Sequence, residues 1–197
     1  MAKRPDRSFW KRALAPRHPA RRRAASLVIL LCAQILIAQT ASESDVEAAY
    51  LFNFAKFMRT PTRSSTVFNI GVMGKNPFGN ALDQITAHEQ LDGRPMRVVP
   101  VTTPEQALAC DILFLSPSEA PRIEKDLQMV QGSPVLTVSN TPGFLEHGGM
   151  LQFIVVSNRV RFSVNLEAVN RSKISLSSEL LKVAASVTGL PPSGGTR

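Results

Sequence analysis

Two short runs, the wholly apolar Ile112–Leu115 and Val135–Val138, apolar but for Thr137, bracket a segment, Glu119–Val130, whose Ile123, Leu127 and Val130 fall on one helical face. A strand that is apolar at every position has both faces covered, as in a parallel sheet layered between helices. Strand, crossover helix and parallel strand make one βαβ unit. The same succession occurs upstream. Val67–Met73 reads as a strand, Phe78, Leu82 and Ile85 as a helical pattern, and Met96–Val101 as a second strand. Thr103-Pro104-Glu105 then opens a short helix, with proline at its first position.

The end of the chain obeys a different period. Met150–Val156 and Arg159–Val164 alternate apolar and polar residues, and Ser157-Asn158 between them reads as a two-residue hairpin turn. Asn165 is placed to cap a short helix through Val169. Leu176, Leu180, Val183, Ala184 and Val187 predict a final helix with one apolar stripe. The expected fold is therefore α/β: a mostly parallel open sheet flanked by helices, with a C-terminal antiparallel hairpin. Ahead of the first strand, Ser44-Asp45-Val46-Glu47 has the form of a capping box. The helix it opens, Asp45 to Met58, is apolar nearly all round, interrupted by Glu47, Asn53 and Lys56, and Pro61 ends it. Such a helix is either deep in a core or covered by something else.

The first forty residues read as an export signal. Arg17, Arg21, Arg22 and Arg23 precede a fifteen-residue apolar run, Ala24 to Ala38, and small and polar residues follow to Ser44. The run falls short of the roughly 20 residues that span a bilayer comfortably, so cleavage near Ala41 or Ser42 is expected and an uncleaved anchor is the alternative. Leu31 before Cys32 argues against lipoprotein processing. The organisation that follows is a secretory signal at 1–41, a single α/β domain at 42–190 and a flexible tail at 191–197. Net charge agrees. Residues 1–41 hold nine Lys/Arg against the single Asp6, and the remainder carries fourteen of each sign. The overall charge of +8 is thus the leader's, and no basic cluster remains for a phosphate backbone. Nucleic-acid binding is excluded on that ground. Once Cys32 leaves with the leader, Cys110 cannot close a loop within its own chain. It reads as a buried apolar residue beside a strand, with an intermolecular bridge or a reactive thiol as alternatives.

Catalytic constellations are scarce. His88 and His147 lack partners at metal-ligand spacing, Glu89 and Glu146 being direct neighbours that point elsewhere. No Gly-x-Ser-x-Gly elbow is present. Gly71 and Gly74, leading through Lys75 to Gly79, follow a strand but match neither the dinucleotide fingerprint nor the phosphate loop. Gly74, Lys75, Ser116, Ser118 and Asn140 are nevertheless expected beyond the carboxyl ends of parallel strands, where ligands dock in open α/β sheets. They form the alternative site, for a small molecule. Arg159 and Arg161 share a hairpin face with Ser163, as a solvated face or as a docking patch for an acidic partner. The apolar first helix, with the last, offers a second protein-binding or dimer surface.

Taken in order, several motifs resemble the YfiR family of periplasmic regulators. They are Ala48-Ala49-Tyr50-Leu51-Phe52-Asn53-Phe54-Ala55-Lys56-Phe57 with Pro61, Phe68 to Gly74, Asn76-Pro77-Phe78-Gly79, and Cys110 to Phe114. Gly148-Gly149-Met150 with Phe153, Asn158 to Phe162, Asn165-Leu166, and Ile174 with Ser177-Ser178 and Leu180-Leu181-Lys182 complete the series. The resemblance implies a non-enzymatic homodimer of the periplasm that needs no cofactor or metal. It would bind the periplasmic part of a membrane diguanylate cyclase and hold its output down, so that cyclic di-GMP and biofilm formation respond. A peptidoglycan-associated outer-membrane lipoprotein would sequester it. On this reading Phe54, Phe57, Arg161, Asn165, Leu166 and Leu180 are the partner-contact candidates, with core packing as the alternative for the four apolar ones. Two departures stand out. Thr60 occupies the position before proline where the family usually has tryptophan. Gly71 replaces a cysteine that relatives often pair with the counterpart of Cys110, which removes that bridge.

Overall fold

The computed structural model describes residues 42–61 and 65–189. The expected leader and tail lie outside the described residues. Helix α1 (Glu43–Phe57) is followed by a short strand β1 (Met58–Arg59), then β2 (Phe68–Met73), α2 (Ala81–Thr86), β3 (Gln90–Leu91) and β4 (Arg94–Val101). Next come α3 (Pro104–Leu108), β5 (Ile112–Leu115), a 3-10 turn at Pro117–Arg122, α4 (Ile123–Val130), β6 (Leu136–Ser139), β7 (Leu151–Val156) and β8 (Arg159–Asn165). Helix α5 (Leu166–Arg171), β9 (Ser175–Leu176), α6 (Ser178–Val183) and β10 (Ser186–Thr188) finish the described chain.

The main sheet has the order β10-β8-β7-β6-β5-β2-β4-β3. Its β10–β8, β7–β6, β6–β5, β5–β2 and β2–β4 pairings are parallel; the β7–β8 and β4–β3 pairings are antiparallel. The expected mixed α/β sheet with its antiparallel hairpin is what forms. β5 and β6 are buried at every position, and the two polar residues of β6 are satisfied there: Thr137 Oγ1 accepts the Met150 N–H and Ser139 Oγ donates to the Leu115 carbonyl. One face carries α1, α2 and α6, and buries Ile70, Ile112, Phe114, Leu136, Phe153 and Phe162 with Leu51 and Phe54 of α1. The other face, under α3 and α4, buries Leu113, Leu115, Val101, Ala107, Ile123 and Leu127. A buried ion pair ties the strand starts together. Arg94 reaches Asp111 at 2.9 Å, and the other Asp111 oxygen accepts the Asn69 N–H at 2.9 Å.

Four local expectations are corrected. The cap of α1 is Ser42, not Ser44. Ser42 Oγ accepts the Asp45 N–H, and Asp45 accepts the Ser42 N–H in return. Aspartate closes the box here, which frees Glu47 for another role. The helix itself is half-covered rather than deep all round. Glu47, Ala48, Leu51, Phe54 and Ala55 face inward, while Asn53, Lys56 and Phe57 stay exposed. The amphipathic segment from Glu119 begins as a 3-10 turn containing Pro121, and α-geometry starts at Ile123. Proline has no N–H for an α-helical bond. Finally, the single last helix becomes β9, α6 and β10. Leu176 pairs with Met58 of β1, Ser177 caps α6, and Val187 joins β10 beside Val164. Strand pairing at both ends overrides the helical stripe.

The hairpin turn forms as read. Ser157 and Asn158 both take positive φ, 50° and 58°, the geometry that matches strand twist in a two-residue turn. Asp92 and Gly93, also at positive φ, make a second such hairpin between β3 and β4.

Candidate functional site

The hairpin and the two helices over it bring most partner-contact candidates into one region. On the inner face of β7 and β8, Phe153 and Phe162 meet Phe54 with centroids at 5.7 and 5.0 Å, and Tyr50 joins at 5.5 Å from Phe162. Phe54 is fully buried, and Leu180 of α6 is buried against the same core. Both are packing residues in the single chain, so neither offers free surface. Leu166 is half-buried at the start of α5. Asn165 accepts the Ala168 N–H with its Oδ1 at 3.1 Å and donates from its amide to the Leu145 carbonyl at 3.2 Å. It therefore fixes the corner between β8 and α5 as an N-cap.

Phe57 and Arg161 are the candidates that reach solvent. Phe57 is 39 % exposed at the end of α1, where its carbonyl accepts the Ser177 N–H. Arg161 lies on the outer face of β8 and donates to the Val183 carbonyl at 3.1 Å, which holds its guanidinium beside the end of α6. Val155, Val156 and Val183 are each about half exposed, at 55, 46 and 54 %. Sequence alternation assigned the two hairpin valines to strand faces and Val183 to a helical stripe, and so gave no sign that they reach solvent. For Val183 the reason is local: α6 ends there.

The alternative site is dispersed. Gly74, at φ +85°, and Lys75 sit where the loop after β2 meets the loop after β5, with the Lys75 N–H donating to Ser118 Oγ at 2.9 Å. A side chain at Gly74 would collide with Ser118 and Glu119. Ser116 is buried. Gly74 borders a groove of about 410 Å³ with Glu119, Arg122, Lys125 and Asp126, but Lys75, Ser116, Ser118 and Asn140 do not line it. Burial raises the Asp126 carboxyl above its ordinary range. Asn140 points instead to α1, its amide donating to both Glu47 oxygens at 3.2 Å.

Glu47 is the residue that sequence reasoning misassigned. It is buried on the inward face of α1, and its pKa is pushed up to about 7, chiefly by desolvation. The Asn140 amide opposes the shift and Glu43 one turn earlier adds to it. Its four-residue spacing to Leu51 was the available signal. Cys110 is buried, with its thiol donating to the Gln106 carbonyl at 3.2 Å. A Cβ built on Gly71 would lie 2.5 Å from Cys110 Sγ, so Gly71 of β2 faces the thiol of the turn that leads into β5. Among the described residues no group of three His, Cys, Asp or Glu is arranged to hold a metal, and no helix is long and apolar enough to cross a membrane.

Comparison with known proteins gives a fold and a family. The structure resembles that of a conserved domain protein from Vibrio cholerae O1 biovar El Tor, with a TM-score of 0.52 at 12 % identity, over 74 % of this chain and 60 % of that one. At this identity the likeness speaks to fold alone, and the chain spans only about 60 % of the length of that protein. The ABC domain in complex with L-Trp from Streptococcus pneumonia gives a TM-score of 0.47 at 11 % identity over the same shares, too low to carry an argument. A family profile described as YfiR/HmsC-like matches residues 44–185, from the first turn of α1 to the start of β10. The chain therefore belongs to the YfiR/HmsC-like family, a family of periplasmic regulators.

Proposed function

We propose that this protein is exported to the periplasm, where it binds the periplasmic part of a membrane-bound diguanylate cyclase and represses it, lowering cyclic di-GMP and biofilm output. The observation that carries the reading is the family match across α1, the sheet and α6, which spans nearly every described residue. The exposed surface supports it: Arg161, Val156 and Val183 offer apolar and cationic groups at the hairpin, and Phe57 is exposed at the far end of α1. Repression is then ordinary linkage. The regulator lowers output by binding the inactive sensor state more tightly than the active one, and cannot shift it by more than that difference. Homodimerisation, sequestration by a peptidoglycan-associated outer-membrane lipoprotein and the absence of catalysis belong to the same proposal.

The test is cyclic di-GMP in cells lacking the gene, restored with the chain carrying or lacking residues 1–41. The expected result is a rise on deletion that only the full chain reverses. Unchanged levels in every strain contradict the reading.

A further inference from the structure

β10 covers only half of the outer edge of β8. Its register runs from Ser186 beside Ser163 to Thr188 beside Asn165, and Ala185 adds one bond to the Phe162 carbonyl. Peptide groups alternate sides along a strand, so Val160, two residues before Phe162, turns its N–H and C=O toward the same edge. Among the described residues no strand pairs with it there. Arg159 and Arg161 flank this position, and neither has a carboxylate partner among the described residues. Across the hairpin they stand opposite exposed Val156 and half-buried Ile154. A cleft of about 250 Å³ opens at the same place, between Asn158, Arg159 and Val160 on the hairpin and Glu43 and Val46 on α1. Open backbone groups, two cations and apolar neighbours thus converge on three residues of one strand.

Resting on the regulator reading above, we infer that the open Arg159–Arg161 edge of β8 receives an extended acidic segment of a protein partner, added as a further strand. Each feature contributes to recognition. An added strand satisfies the Val160 peptide groups, its carboxylates meet the two guanidiniums on the outer face, and the alternate apolar residues turn to the other face, toward Val160 and Val46 in the cleft. A second copy of this chain fits worse. Two-fold pairing of this edge would set arginines of one protomer against the same arginines of the other. An anionic membrane would meet the charge but leave the peptide groups unmatched.

The probe is a seven-residue peptide alternating glutamate and valine, with its lysine–valine counterpart. They are titrated against the full chain, purified as the cell processes it. The acidic peptide is expected to bind about tenfold more tightly than the basic one, two cross-strand charge pairs' worth, and to weaken as salt rises. The double substitution Arg159→Glu and Arg161→Glu should invert that preference, with an unchanged circular dichroism spectrum. N-methylation of alternate peptide amides, which keeps the charge but removes the strand's donors, should abolish binding. Equal binding of both peptides, full binding of the methylated one, capture of phosphatidylglycerol vesicles in place of the peptide, or self-association lost with the arginines would each overturn the inference. If the peptide fails while deletion still raises cyclic di-GMP, the docking edge is wrong and the regulator reading stands.

Discussion

The sheet has two halves that are built differently. β4, β2, β5 and β6 are roofed on both faces, by α1 and α2 on one side and α3 and α4 on the other. β7, β8 and β10 have their inner face under α1 and α6, while no residue of these strands joins the second core. In the doubly roofed half β5 is continuously apolar, β2 is so but for Asn69, and β6 admits the hydrogen-bonded Thr137 and Ser139, whereas the singly roofed β8 alternates. Within one sheet, then, the sequence period reports how many sides are covered. Exposed Val155, Val156 and Val183 lie with Arg159 and Arg161 on the singly roofed half.

Breaking the covered half should have the largest effect. Phe114 is fully buried, with its ring 4.7 Å from that of Phe78. Phe114→Ala should cost about 3–5 kcal/mol, read as a lower denaturation midpoint at unchanged slope. Asp111→Ala should cost a similar amount, about 3–5 kcal/mol, because Arg94 is left without its buried partner. Retention of most stability in either variant would mean that this half is not the rigid one.

Glu47 sharpens the comparison, since it is a buried carboxyl at the start of α1. Its folded pKa of about 7 lies above the ordinary 4.5, so the folded state holds the extra proton between those values. The contribution of Glu47 to stability should therefore be greatest below about pH 4.5 and fall as pH rises toward 7. The total loss is roughly 2–3 kcal/mol, and the curve flattens above that range. Glu47→Gln should erase the slope and be the more stable protein at pH 8. A pH-independent difference between the two in urea melts would refute the assignment.

Gly71 offers a smaller effect of known direction. Its Cβ would meet Cys110 Sγ at 2.5 Å and Val101 Cγ2 at 2.7 Å, so Gly71→Ala should destabilise by about 1–3 kcal/mol through overpacking. Gly71→Cys in an oxidising medium should instead form a bridge to Cys110, read as loss of titratable thiol. Smallest of all, Val156→Thr on the open half should change stability by no more than about 0.5 kcal/mol.

The fold was legible wherever one signal dominated. The apolar run Ile112–Leu115 marks β5, the largely apolar Val135–Val138 marks β6, and alternation with Ser157-Asn158 marks the hairpin. It was illegible where two signals competed. The stripe from Leu176 to Val187 satisfies a helical period, but β1 and β8 offer strand partners at each end, and tertiary pairing won. Asp92-Gly93 is itself a plain hairpin signal, and both residues take the positive φ it requires between β3 and β4. For the candidate site, Phe57 and Arg161 lie at the surface as partner contacts require, whereas Phe54 and Leu180 belong to the core. Aromatic sequence cannot distinguish a core from a docking face, because both bury the same side chains. The strand-end residues were placed correctly on loops beyond the strands, yet their polar groups satisfy one another or reach α1.

The most direct test of the account is cyclic di-GMP in a strain lacking the gene and resupplied with wild type or with the double substitution Arg159→Glu and Arg161→Glu. The account predicts normal amounts of folded variant, with cyclic di-GMP held at the level of the deletion. Full repression by the variant would contradict it, since the singly roofed half would then not be where this protein acts.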